Sequence, residues 1–146
     1  MSVITSFKEK KREKEIKYER KMLRELSLEK LQKQASESFR PFFQGKSTFP
    51  SAVEDGCIDM AIEAYLLGAS YSRFGYYGEP IELVKKRSQH EEKYLTDALF
   101  DFLCFWTDLN DIHIGEPLYY TCEGYISSWW TEGFEKGKKR WRLKLR

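Results

Sequence analysis

Residues Ser51 to Arg73 read SAVEDGCIDMAIEAYLLGASYSR, and this stretch decides the fold. Ser51 follows Pro50 and has Glu54 three residues on, the capping-box pattern that opens a helix. Cys57, Ile58, Ala61, Ile62, Tyr65, Leu66 and Ala69 then recur at helical spacing, which predicts a central helix running to about Arg73. Along it Ala61, Ala64, Gly68 and Ser72 form a seam of small residues. Such a seam lets a second helix approach closely, which gives a reason for a mid-helix glycine that costs about 1 kcal/mol in propensity.

Toward the C-terminus, Phe74-Gly75-Tyr76-Tyr77-Gly78 predicts a break, and Pro80 suits the first position of a new helix. That helix meets no breaker until about Asp108 and carries Leu95, Ala98, Leu99, Phe102, Leu103 and Trp106 on one apolar arc. Asn110 to Glu116 reads as a connection. From Pro117, Leu118, Cys122, Tyr125, Ile126, Trp129, Trp130 and Phe134 again follow helical spacing, loosened by Gly124, Gly133 and Gly137. In the tail, Trp141, Leu143 and Leu145 alternate with Arg140, Arg142, Lys144 and Arg146, a period that suits an extended segment.

Toward the N-terminus, Ser6 with Glu9 signals the start of a long exposed helix through the Lys/Glu/Arg-rich run to Leu26. Its apolar positions are sparse (Ile16, Met22, Leu23, Leu26), so charges alternating at i, i+4 are expected to hold it. Ser27 is expected to cap a second piece through Leu28, Leu31, Ala35 and Phe39, stopping at Pro41, with a linker over residues 40–50. The fold class expected is all-α: a small helical bundle with a long charged N-terminal helix and a basic C-terminal tail. Residues 1–46 form the charged arm and 47–146 the helical core with the tail, folding as one unit.

Charge is sorted along the chain. Residues 1–46 carry 13 Lys/Arg against 7 Asp/Glu, residues 47–135 carry 5 against 16, and residues 136–146 carry 7 against none, which the total of +2 hides. Blocks of opposite sign either fold onto each other, within a monomer or across a dimer, or face separate partners, and the expectation is that the acidic middle is held by the chain's own basic ends. Charge-free stretches such as Ala64 to Ser72 fall short of the roughly 20 apolar residues that cross a bilayer, so no membrane span is expected. The N-terminus lacks the apolar region of a signal peptide, and a cytoplasmic location is expected. Cys57, Cys104 and Cys122 are odd in number, with no CxxC and no neighbouring histidine pair, which points to buried reduced thiols and away from disulfides or zinc.

No constellation specifies a reaction. His90, Asp97, Asp101 and Asp108 lie within about 20° of one helical line, with Asp55, Asp59 and Glu63 as a second acidic stripe on the central helix. Facing carboxylates in a bundle build dicarboxylate metal sites, usually with Glu-x-x-His pairs that this chain lacks. The stripe therefore reads as boundary positions first, with a metal-dependent hydrolase on His90, Asp97 and Asp101 as a weak alternative. His113, beside Asp111, has no Ser or Cys in a nucleophile signature to serve, and no phosphate-binding glycine motif occurs. No cofactor and no enzymatic role are expected.

Two surfaces stand out instead. Lys138, Lys139, Arg140, Trp141, Arg142, Lys144 and Arg146 combine cations with an aromatic, which suits a polyanion, whether nucleic acid or the ribosome. Tyr76 and Tyr77, between two glycines and next to Arg73 and Phe74, are hard to bury and make a candidate partner-contacting patch. The expected role is a non-enzymatic interaction or structural module with a protein partner or self-association. Nucleic-acid binding through the tail is the alternative.

The string from Asp55 to Glu79, with the Lys/Arg-rich opening and the Gly-Lys-Lys-Arg ending, resembles the uncharacterised YbaK-like domain of Bacillus-type bacteria. This family is distinct from the aminoacyl-tRNA editing proteins that share its name. The resemblance covers nearly the whole chain and implies a bacterial cytosolic protein. It brings no assigned activity, cofactor or catalytic residue to any position.

Overall fold

The computed structural model describes residues 3–43, 49–107 and 115–143, with side chains from Ser6 onward in the first segment. Among the described residues seven α-helices run in the order α1 (Val3–Leu23), α2 (Leu28–Phe39), α3 (Ser51–Ser70), α4 (Ser72–Tyr76), α5 (Ile81–Arg87), α6 (Gln89–Trp106) and α7 (Gly115–Arg142). A 3-10 turn, Arg40–Phe43, follows α2. The described residues contain no strand, and the fold is an all-α bundle.

Helices α3 and α7 form its axis. They run parallel: Tyr125 of α7 bonds the Cys57 carbonyl near the start of α3, and Gly137 lies against Ser72 just past its end. Between these points the backbones touch, so a Cβ built on Gly68 would stand 1.9 Å from the Trp130 carbonyl oxygen. One built on Gly133 would stand 1.9 Å from the Tyr65 carbonyl oxygen. The small-residue seam of α3 is thus answered by glycines of α7. Sequence reading treated Gly133 and Gly137 as loosening that helix, whereas both are sites of closest approach.

The other helices pack around this pair. Helix α6 runs antiparallel to α7: Asp97, midway along α6, accepts from Tyr119 near the start of α7, and Ser88 at the α5–α6 junction accepts from Trp130 farther along it. Helix α2 supplies Leu31, Ala35 and Phe39 to the main core, where Phe39 meets Tyr125 edge-on at 4.9 Å. Among its described side chains, helix α1 adds Met22, fully buried, and half-buried Tyr18 to the core.

Several boundaries differ from the sequence expectation, each for a local reason. Helix α1 begins before Ser6, which is inside it. Pro50 takes the cap position of α3 and no side chain caps its amides, so the Ser51/Glu54 capping box does not form. Ser27 does cap α2, accepting from the Lys30 amide. The break expected at Phe74–Gly78 comes only at its far end: α4 continues to Tyr76, and Gly78 turns the chain at a φ of 100° that glycine adopts without strain. The single helix expected after Pro80 is two, interrupted at buried Ser88, whose hydroxyl accepts a 2.9 Å hydrogen bond from Trp130 Nε1. A buried indole N–H is stabilised by an acceptor, and for Trp130 that acceptor is the hydroxyl at the junction.

The largest correction concerns the tail. Residues through Arg142 continue α7 as helix, where the alternation suggests an extended segment. Trp130, Phe134, Gly137 and Trp141 follow one another at helical intervals on the face toward α3 and α4. That inner stripe overrides the apparent period of two.

Because the α3–α7 contact is backbone on backbone, Gly68→Ala or Gly133→Ala should cost about 3 kcal/mol or more in urea unfolding. Gly124→Ala, at an exposed α7 position with nothing within 4 Å of the added methyl, should instead gain about 0.5–1 kcal/mol. Three substitutions of similar small effect would refute the close approach.

Candidate functional site: a basic groove at one end of the bundle

Helix α1 is fastened to the body by its last turns. The Tyr65 hydroxyl donates to the Met22 carbonyl at 3.1 Å, and the Tyr18 hydroxyl donates to the Ala69 carbonyl at 3.2 Å and meets Ser72 Oγ at 3.4 Å. Burial pushes the Tyr18 phenol up, so it stays protonated and keeps donating. Running antiparallel to α3 and α7, α1 carries its basic N-terminal half toward the end where α7 finishes.

An open groove of about 680 Å³ lies between them. Lys11, Lys14, Glu15 and Glu19 of α1 form one wall, Leu66, Ser70 and Arg73 another, and Trp141 closes the end. None of Lys8, Lys10, Lys11, Arg12, Lys14, Lys17 and Arg20 makes an ion pair among the described residues, so the i, i+4 pairing expected along this helix does not hold it. The same is true of exposed Lys139 and Arg142 at the end of α7.

Two separate sequence candidates meet here. The Trp141 ring stacks on Tyr76 at 5.9 Å with 27° between planes, and Tyr77 lies 6.4 Å away, with Tyr76 and Tyr77 edge-on at 5.1 Å. Tyr77 remains 75% exposed and Tyr76 38%. Arg73 is exposed on the groove rim, while Phe74 is half-buried beneath the Arg73 and Arg87 guanidinium groups at 5.2 and 4.6 Å. The aromatic turn and the basic tail are one surface.

The tail is not wholly free. The Arg140 side chain, 13% exposed, pairs with Glu25 at 2.8 Å; Lys136 reaches Glu132 at 3.5 Å and the Glu25 carbonyl at 3.3 Å; and Lys138 covers the Phe134 ring. Lys144 and Arg146 lie outside the described residues. Among the described residues, docking of the positive ends on the acidic middle is seen at Glu132, which receives both Lys136 and Lys30. Elsewhere the two basic ends adjoin each other.

Residues 1–146 match the profile described as "Protein of unknown function (DUF2521)". The chain belongs to the DUF2521 family. A relative from Bacillus subtilis strain 168, "Uncharacterized protein YbaK", is 35% identical over 147 residues, with all of both chains covered. The YbaK-like resemblance carried by Asp55 to Glu79 is thereby shown. No solved structure matches the chain.

The acidic stripe of this DUF2521 chain is dispersed. Asp97 accepts from Lys93 Nζ at 2.7 Å and from the Tyr119 hydroxyl at 2.9 Å, and these bonds, Lys93 first, hold its carboxyl below the usual range. His90 is exposed beside Glu63 and Glu91 in a shallow groove of about 370 Å³, and Asp101 is exposed on α6. Among the described residues no three His, Cys, Asp or Glu side chains gather where they could hold a metal ion. Asp108, Asp111 and His113 lie outside the described residues. Burial pushes the Cys57 and Cys122 thiols up to about 12, which leaves them protonated and poor as nucleophiles or ligands.

Tyr18 escaped sequence reading as a site residue. Its signal was present: an aromatic in a charged run with Met22 four residues on, the spacing of two side chains on one helical face.

Glu132 gives the site a pH signature. Partial burial pushes its carboxyl up, but the ammonium groups of Lys30 and Lys136 outweigh burial and hold it below the ordinary 4.5. A carboxyl depressed on folding contributes stability above its unfolded value and loses that contribution as pH falls through the folded value. Glu132→Gln should therefore cost about 0.5–1 kcal/mol at neutral pH, given its exposure, and the difference should shrink on acidification from just above pH 4.5. Urea titrations at several pH values measure this, and parallel curves for the two proteins would refute it.

Proposed function

We propose that this chain is a non-enzymatic interaction module whose working surface is the basic end formed by α1, α4 and the last turns of α7. One observation carries the reading: two helix segments rich in cations run side by side with exposed, unpaired charges among the described residues. Like charges brought together cost free energy, and here apolar and hydrogen-bonded anchors at Tyr18, Met22 and Trp141 hold them in place. An anionic partner turns that cost into binding energy. The reading is supported by the fate of the acidic and thiol groups, which are engaged in ion pairs, dispersed or kept protonated by burial.

A second reading rests on exposed Asp55, Asp59 and Glu63 along α3, opposite in sign to α1. Two copies exchanging these faces would form a reciprocal dimer, with residue i meeting j and j meeting i. Sedimentation at increasing protein and salt concentrations separates it from a monomer that awaits another partner.

A surface kept for binding and one kept for folding respond differently to charge removal. The triple variant Lys11→Gln/Lys14→Gln/Lys139→Gln should keep its unfolding free energy within about 0.5 kcal/mol of the parent, or exceed it, since these side chains are exposed and unpaired. The same variant should elute from immobilised heparin at clearly lower salt. Unchanged elution with a stability loss above about 1 kcal/mol would assign these lysines to folding and end the proposal.

A further inference from the structure

Resting on the basic end as an interaction face, we infer that the groove between α1 and the end of α3 with the start of α4 binds a short tract of single-stranded nucleic acid, with Lys11, Lys14 and Arg73 on phosphates and Tyr77, which adjoins the groove through Trp141, stacking on a base. The cations come from two elements on opposite sides of the groove, which suits a strand laid along it. Lys11 and Lys14 are separated by roughly 4.5 Å along the axis of α1, so they present charge in file.

The aromatic group selects among polyanions. Tyr77 is 75% exposed yet held by ring contacts to Tyr76 and Trp141, so its position is fixed before any ligand arrives. A ring left 75% exposed buries little of its area in the fold, whereas a preset ring near phosphate-binding cations is how sequence-tolerant single-strand sites gain affinity. A double helix encloses its base faces and offers Tyr77 nothing to stack on. An acidic polypeptide satisfies the lysines but not the ring. An anionic membrane would require a continuous apolar stripe on α1, whereas among the described residues strongly exposed Phe7 stands on the face opposite Ile16 and Leu23, which are each only 37% exposed.

The test is fluorescence anisotropy of the full-length protein with labelled oligothymidylate and oligouridylate. Duplex DNA of the same length, polyglutamate, and vesicles of mixed phosphatidylcholine and phosphatidylglycerol serve as competitors. Binding should weaken steeply between about 50 and 200 mM salt, and Lys11→Glu/Lys14→Glu should lower both affinity and the salt slope. Tyr77→Ala should weaken binding about tenfold while Tyr77→Phe leaves it unchanged, because stacking needs the ring and not the hydroxyl. Circular dichroism confirms that these surface variants remain folded.

Equal affinity for polyglutamate and oligonucleotide, with Tyr77→Ala silent, would overturn the nucleic-acid assignment and leave the anionic interaction face standing. Binding to vesicles or duplex in preference to single strands would do the same. No retention of any polyanion, with intact and charge-reversed proteins alike, would remove both.

Discussion

Everything in this bundle is referred to one contact, the backbone-on-backbone crossing of α3 and α7. Gly68 faces the Trp130 carbonyl and Gly133 faces the Tyr65 carbonyl, each glycine three residues from the residue whose carbonyl its partner covers. With a Cβ at either position the axes would have to separate, and the side chains flanking the crossing would lose their packing. Trp130 depends on it most directly: its ring is fully buried and parallel to Phe134 at 5.2 Å, and its N–H ends on Ser88. Through Ser88 the crossing sets where α5 gives way to α6. Through Tyr65, which reaches the Met22 carbonyl, it sets where α1 is fastened.

The placement of α1 has electrostatic consequences. A helix with so little apolar surface does not choose its position by burial along its length; it is held at Tyr18 and Met22 and carried past the body from there. Its direction brings one cationic segment beside another, at the end of α7, while exposed acids on α3 and α6 occupy other faces. The molecule is polarised although its net charge is only +2. Of its ion pairs, half-exposed Lys136–Glu132 contributes little to the fold, whereas Arg140, only 13% exposed, is held more firmly against Glu25.

The aromatic residues divide by the same geometry. Trp129, Trp130, Tyr125 and Tyr65 lie in the interior, with polar ends bonded to backbone or to Ser88 in three of the four. Tyr76, Tyr77 and Trp141 remain at the edge of the groove because Gly78 turns the chain there and α7 runs one turn longer than its charges suggest. One sequence feature, aromatic richness, thus serves core packing along most of α7 and leaves a surface cluster at its end.

By itself the sequence determined the helical class, the central helix and its small-residue seam, the cap at Ser27, the sorting of charge and the family carried by Asp55 to Glu79. These are local: periodicity, propensity and composition act within a few turns and leave their mark in order along the chain. Only the tertiary structure decided which helix answers the seam, that Ser88 splits the helix after Pro80, that the tail stays helical to Arg142, and that Trp141 joins Tyr76 and Tyr77 beside Lys11 and Lys14. Each of these turns on a contact between residues tens of positions apart. A Trp130–Ser88 hydrogen bond or a Gly133–Tyr65 approach leaves no periodic trace in either segment, so only the packed chain reveals it.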